Sequence, residues 1–235
     1  MAIPGGVSLR CAFNSSWARY ILERYFSIEM PGMLFLRNVL LFSLAGLIPV
    51  LALYVFLSPG FASALVTGSA NLSRFLRQII TNGIPVVVAV NYVGYFLFAL
   101  SISQPRSKHD PAVFIAFDIV ARISIFVGLH FLIYVLSADW FGSFGGSRAT
   151  ALSVVAPTLA RSALFENISG VYLYATLISA LPLYSSSIQR SSILRPITRI
   201  FPNSTGHAVI AIVIFGLLAA LLTSLASTLT LLHNR

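Results

Sequence analysis

Pro111–Trp140 reads PAVFIAFDIVARISIFVGLHFLIYVLSADW, and this stretch decides the fold class. About 20 apolar residues cross a hydrocarbon core of roughly 30 Å, so 111–137 spans a bilayer with some tilt. Asp118 and Arg122 nevertheless stand inside it. A charge near the bilayer centre costs roughly 3 kcal/mol or more, so Arg122 is expected to face protein rather than lipid. Asp118 precedes it by four residues, one helical turn, with the acid N-terminal to the base. The two can neutralise each other within one helix. His130 lies eight residues past Arg122, about 80° round the helix, so it need not share that face.

Composition extends this reading to the whole chain. Its 235 residues are 57% hydrophobic and 9% charged, with a mean hydropathy of +0.90. Soluble domains carry about 25% charged residues. The chain is therefore expected to be all-α, a polytopic integral membrane protein with about five transmembrane helices forming one domain. The net charge of +9 does not indicate nucleic acid. The basic residues are scattered through short loops beside apolar spans, where they set topology and touch lipid headgroups. Cys11 is the only cysteine, which excludes an internal disulfide and a thiolate metal cluster.

Residues 1–33 carry Trp17, Tyr20, Ile21, Tyr25 and Ile28 on one helical face and Arg19, Glu23 and Ser27 away from it. This pattern predicts an amphipathic helix in the membrane interface, ended by Pro31-Gly32. No compact apolar run in the first 30 residues reads as a secretory signal, and the tail is expected to be retained. The expected spans are 38–57, 79–103, 111–137, 167–188 and 206–232. Ser58–Asn71 is expected to be a loop, and 150–166 an interfacial, re-entrant or span-extending helix. With five spans, nine basic residues fall on the side of the N-terminus and five on the other. The positive-inside rule then places the N-terminus in the cytoplasm or the matrix.

Within the fifth span Gly216, Ala220 and Ser224 recur every four residues, a spacing that lets helix backbones approach closely. An intramolecular helix is the expected partner. Asn82 and Asn91 are expected to make interhelical hydrogen bonds. Arg190, Arg195 and Arg199 form a basic loop expected to meet lipid headgroups.

The chemistry is sparse. Of four histidines only His130 lies inside a span, so it is a candidate ligand or partner contact, and no paired histidines suit a bis-His haem. The six acids form no nucleophile–base arrangement, so no catalytic residue, metal or cofactor is expected. Four glycosylation sequons, at Asn14, Asn71, Asn167 and Asn203, fall on both sides of the membrane and are read as chance matches.

Pro157–Pro182 (PTLARSALFENISGVYLYATLISALP) resembles the Arg-Leu-Phe-x-Asn helix of the proton-channel subunit a of rotary ATP synthases through Leu164, Phe165 and Asn167. Ala163 stands where that motif has its essential arginine, and the final span lacks that family's polar amide. The likeness covers 26 of 235 residues, and the chain is not assigned to the family.

Two functions remain. The first is a non-catalytic subunit of a larger membrane complex, of the respiratory-chain or ATP-synthase type, in a mitochondrial inner or bacterial cytoplasmic membrane. Its partners would be other membrane subunits and lipids. The second is a small transporter or proton-conducting subunit using Asp118 and Arg122. A water-accessible cavity at that pair would favour the second.

Overall fold

The computed structural model describes residues 24–103, 110–136 and 151–200, together with helical positions between 209 and 228. Residues 1–23, 104–109, 137–150, 201–208, 229–235 and some positions between 209 and 228 lie outside it. So, therefore, do most of the amphipathic tail, the polar turn, and the sequons at Asn14 and Asn203.

The described chain is helical: α1 (Gly32–Leu57), α2 (Pro59–Thr67), α3 (Ser69–Gln78), a π-helical turn (Ile79–Gly83), α4 (Ile84–Ser103), α5 (Pro111–Leu136), α6 (Ala151–Ala163), α7 (Ile168–Ser179), α8 (Leu181–Arg190) and α9 (Arg195–Ile200). Four segments are long and apolar enough to cross a membrane: Gly32–Leu57, Asn71–Ser101, Pro111–Ile133 and Ile168–Arg190. This is an integral membrane protein. The predicted fifth span is helical at its described positions between 209 and 228.

The boundaries follow local chemistry. The region expected as a loop, 58–71, contains α2. Pro59 occupies the first helical turn, where its missing N–H costs nothing, and Gly68 closes the helix. Asn71–Ser101 is 31 residues long, about 46 Å at 1.5 Å per residue. Tilt alone cannot fit that into a core of ~30 Å, so the α3 end, with exposed Arg74 and Arg77, projects beyond it. The π-helical turn sets Gly83 against the Tyr172 ring, where a Cβ would collide.

Segment 150–166 resolves into a separate short helix. α6 ends in a tight turn, with Phe165 at φ 62°, and α7 begins on Asn167 as its N-cap. The Asn167 side chain accepts from Gly170 N–H at 3.0 Å and from Ser162 Oγ at 3.0 Å, and donates to the Thr158 carbonyl at 3.0 Å. The Leu164-Phe165 pair is thus part of a turn. It is not the continuous helix of the ATP-synthase motif.

The tail differs from expectation. The helix ends at Tyr25, short of Pro31-Gly32. Asn38 Nδ2 donates to the Tyr25 carbonyl at 3.0 Å, and Phe26 enters the bundle end, stacked on Tyr95 at 4.1 Å. The residue that anchors this end in the bundle is Phe26, outside the predicted apolar face, and Ile28 is exposed.

Two apolar layers fill the bundle. One joins Phe26, Phe35 and Val39 to Tyr95, Phe98, Ile115, Leu183 and Ile188. The other joins Leu47 and Val50 to Ile79, Val87, Phe126, Val171 and Leu177. Early residues of α1 and α5 share a layer with late residues of α4 and α8, so successive spans alternate in direction. α1 crosses α7 closely: a Cβ on Gly46 would lie 2.9 Å from the Ala175 carbonyl and 3.1 Å from Ser179 N. Small residues at such crossings are a membrane packing device.

Candidate functional site

Between the two apolar layers lies a polar waist built on α5. Arg122 Nε donates to Asp118 Oδ2 at 2.6 Å, and both side chains are 0% exposed. Arg122 Nη1 donates to Asn91 Oδ1 on α4 and to the Thr176 carbonyl on α7 at 3.1 Å. Asp118 Oδ2 also accepts from Tyr184 Oη on α8 at 2.9 Å. Asn91 Nδ2 passes the network to Ser43 Oγ on α1 at 2.8 Å. Three spanning segments therefore meet at one guanidinium, and the fourth, α1, joins through Asn91. The guanidinium's planar fork makes several directed bonds at once, which a lysine ammonium could not reproduce.

Space for the guanidinium comes from Gly94, where a Cβ would collide with Arg122. The Tyr95 ring adds a face 5.4 Å from Arg122 Cζ, within cation–π range.

A helix break supplies two of the acceptors. Pro182 has no N–H to give the Ile178 carbonyl, and Ala180 N–H turns to Leu177 at 3.1 Å instead of continuing the α pattern to Thr176. The Thr176 carbonyl is released and taken by Arg122. The Ser179 carbonyl is taken by Tyr95 Oη at 2.6 Å. In lipid, freed backbone carbonyls must find protein partners, and here the waist provides them.

Two atoms remain without a hydrogen-bond partner, Asp118 Oδ1 and Arg122 Nη2. Both residues are fully buried. The arrangement can hold four helices in a fixed relation.

His130, the other intramembrane candidate, is turned inward. It is 6% exposed, its Nδ1 lies 3.1 Å from the Phe126 carbonyl, and its ring lies 4.1 Å from that of Phe126. Among the described residues no group of three His, Cys, Asp or Glu could hold a metal. Asn82 is exposed, in contrast to Asn91.

The three expected lipid-facing arginines separate. Arg190, half-buried, folds back over the Phe98 ring at 5.7 Å and donates to the Ser186 carbonyl at 3.3 Å, so it makes protein contacts that the sequence did not predict. Arg195 and Arg199 are exposed. Gly216, Ala220 and Ser224 are exposed too, and nothing lies within 4 Å of a Cβ placed on Gly216. The close intramolecular helix expected there is absent among the described residues. Among the described residues of this helix, Ile210 and Ile214 pack on the core.

Sequence reasoning missed Asp110. Its Oδ1 accepts from Ala112 N–H at 2.8 Å and from Ser191 Oγ; its Oδ2 accepts from Ser192 N–H at 2.6 Å, Ser192 Oγ and Ile193 N–H at 3.1 Å. Partial burial pushes this carboxyl up, but the bonds from Ser191, Ser192, Ala112 and Ile193 outweigh it and hold Asp110 well below the usual carboxylate range. One residue thus caps α5 and ties its start to the end of α8.

Compared with protein families, curated proteins and solved structures, the chain matches none.

Proposed function

We propose that this protein is a non-catalytic membrane subunit that assembles with other membrane proteins through its C-terminal helix. The observation carrying this reading is the sealed waist. The intramembrane ion pair is 0% exposed and bonded to α4, α7 and α8, which suits a structural clamp. The exposed Gly216, Ala220 and Ser224 supply a close-packing face that no other described residue covers. The setting proposed for the complex is an energy-transducing membrane, mitochondrial inner or bacterial cytoplasmic.

The test is native electrophoresis in mild detergent, with mass spectrometry of co-migrating subunits. Gly216→Leu with Ala220→Leu should release the protein from the complex while leaving the isolated subunit folded. Full retention in the complex refutes the reading.

A second reading, a proton-conducting subunit, draws on the unpartnered Asp118 Oδ1 and Arg122 Nη2. Proteoliposomes containing the purified protein and a trapped pH dye distinguish the two. Proton flux abolished by Asp118→Leu with Arg122→Leu, in a protein that still assembles, would establish conduction and displace the clamp.

A further inference from the structure

The geometry points to α9 as an anionic-phospholipid contact: its arginines meet headgroups while its isoleucines enter the acyl layer. We infer this from where α9 is held and how its residues are distributed round it.

Its level is set by two span ends. α9 follows the last residue of a span, Arg190, after four residues. The intervening Ser191–Ile193 is bonded to Asp110, immediately before Pro111, the first residue of another span. Two helices that end at the bilayer surface thus clamp the approach to α9, which places the helix at that surface.

Its faces are sorted for such a position. At about 100° per residue, Ile197 and Ile200 lie within roughly 60° of each other. Arg195 and Arg199 lie on the far side, about 160° from Ile197 in either direction. Leu194, three residues before Ile197 and so about 60° from it on the same side, packs on the core where the chain enters the helix. Ile197 and Ile200 are 43% and 71% exposed, and Ile193 beside them 63%. No described residue covers this isoleucine surface, and acyl chains are the solvent that suits it. Arginines opposite such a face reach headgroup phosphates, as in helices that lie in the interface plane.

Charge commits the partner. Ser191–Ile200 contains no acid. The nearest acid described, Asp110, is already engaged by Ser191, Ser192 and Ile193, and Arg190 is turned onto Phe98. Arg195 and Arg199, one turn apart, therefore act as an uncompensated pair of cations. Their bidentate donors match phosphate oxygens, and anionic lipid supplies these with net negative charge.

The experiment is native mass spectrometry of the full-length protein titrated with phosphatidylglycerol or with phosphatidylcholine of the same chains. The wild type should bind phosphatidylglycerol more tightly. Arg195→Gln with Arg199→Gln should weaken that binding about fivefold per arginine and leave phosphatidylcholine binding unchanged. Arg195→Lys with Arg199→Lys should retain most of the preference. A wild type without preference, or a glutamine variant with undiminished preference, overturns the inference. So does displacement of the lipid by inorganic phosphate, which would mark a plain anion site.

Depth provides a second readout. On a Cys11→Ser background, a fluorophore at Ile197→Cys should be quenched by acyl-chain nitroxides more strongly than one at Arg199→Cys. Equal quenching at both positions refutes the orientation.

Discussion

Replacing Asp118 by alanine removes the counterion and leaves the cation. In the folded protein Arg122 would keep Asn91 Oδ1 and the Thr176 carbonyl as acceptors but lose its salt-bridge partner. An unpaired buried charge of this kind costs about 3–5 kcal/mol. Tyr184 Oη would also lose its acceptor, adding about 1–3 kcal/mol. Together these approach the whole stability of a typical domain, roughly 5–15 kcal/mol. Asp118→Ala should therefore accumulate poorly and unfold at markedly lower denaturant. Asp118→Leu with Arg122→Leu removes the charge and should be the more stable of the two variants, despite orphaning Tyr184, Asn91 and Thr176. Adding Tyr184→Phe removes one of those orphans and should recover more. Unfolding in mixed micelles, followed by far-UV circular dichroism, gives the order: wild type, triple, double, single. A single variant as stable as wild type, or a double variant less stable than the single, would show that the pair does not hold the bundle.

Gly94→Ala puts a methyl into the guanidinium position and should cost about 1–3 kcal/mol by overpacking. Gly128→Ala, with nothing within 4 Å, should be neutral or slightly stabilising in the same unfolding assay. Because the Asp110 carboxyl is held below its ordinary range, its stabilisation is present above the unfolded value of about 3.9 and is lost as pH falls through the lower, folded value. Asp110→Asn should be less stable than wild type at pH 7, and their unfolding midpoints should converge as the pH is lowered below ~4. Asn167→Ala, which loses the α7 cap bond to Gly170 N–H at 3.0 Å, should cost about 1–2 kcal/mol, seen as a lower thermal midpoint.

Much of the waist was legible in the sequence, because a charge inside lipid has few solutions. Arg122 needed a partner, and helical spacing allowed Asp118 on the same span. Asn91, a polar residue in an apolar run, was expected to bond between helices, and it does. The tyrosines were not legible. Tyr95 and Tyr184 look like any interfacial aromatic until tertiary structure aims one at Ser179 and the other at Asp118. Gly94 carried no periodic signal, because its role is one collision avoided rather than a repeated small-residue face. Two signals were present and unread: Pro182, which breaks a span treated as continuous, and the Pro59…Gly68 frame of α2. Asp110 was hidden by distance, since its partners lie more than 80 residues away.

The position of the polar layer explains what it adds. Between membrane helices there is little hydrophobic drive, because lipid tails are as apolar as leucine. The two apolar layers fill space but tolerate small rotations and shifts of one helix against another. The waist does not. A slip by one residue would move a helix about 1.5 Å along its axis and turn it about 100°, carrying Asn91, Thr176 or Tyr184 out of reach of the Asp118–Arg122 pair. Ser43, Asn91, Thr176 and Tyr184 thus fix the register of α1, α4, α7 and α8 against α5. The described C-terminal helix contributes no group to this lock and touches the core through Ile210 and Ile214. Among the described residues, four spanning segments are thus tied to one another by polar bonds, while Gly216, Ala220 and Ser224 of the fifth helix stay exposed; the subunit role proposed above draws on that contrast.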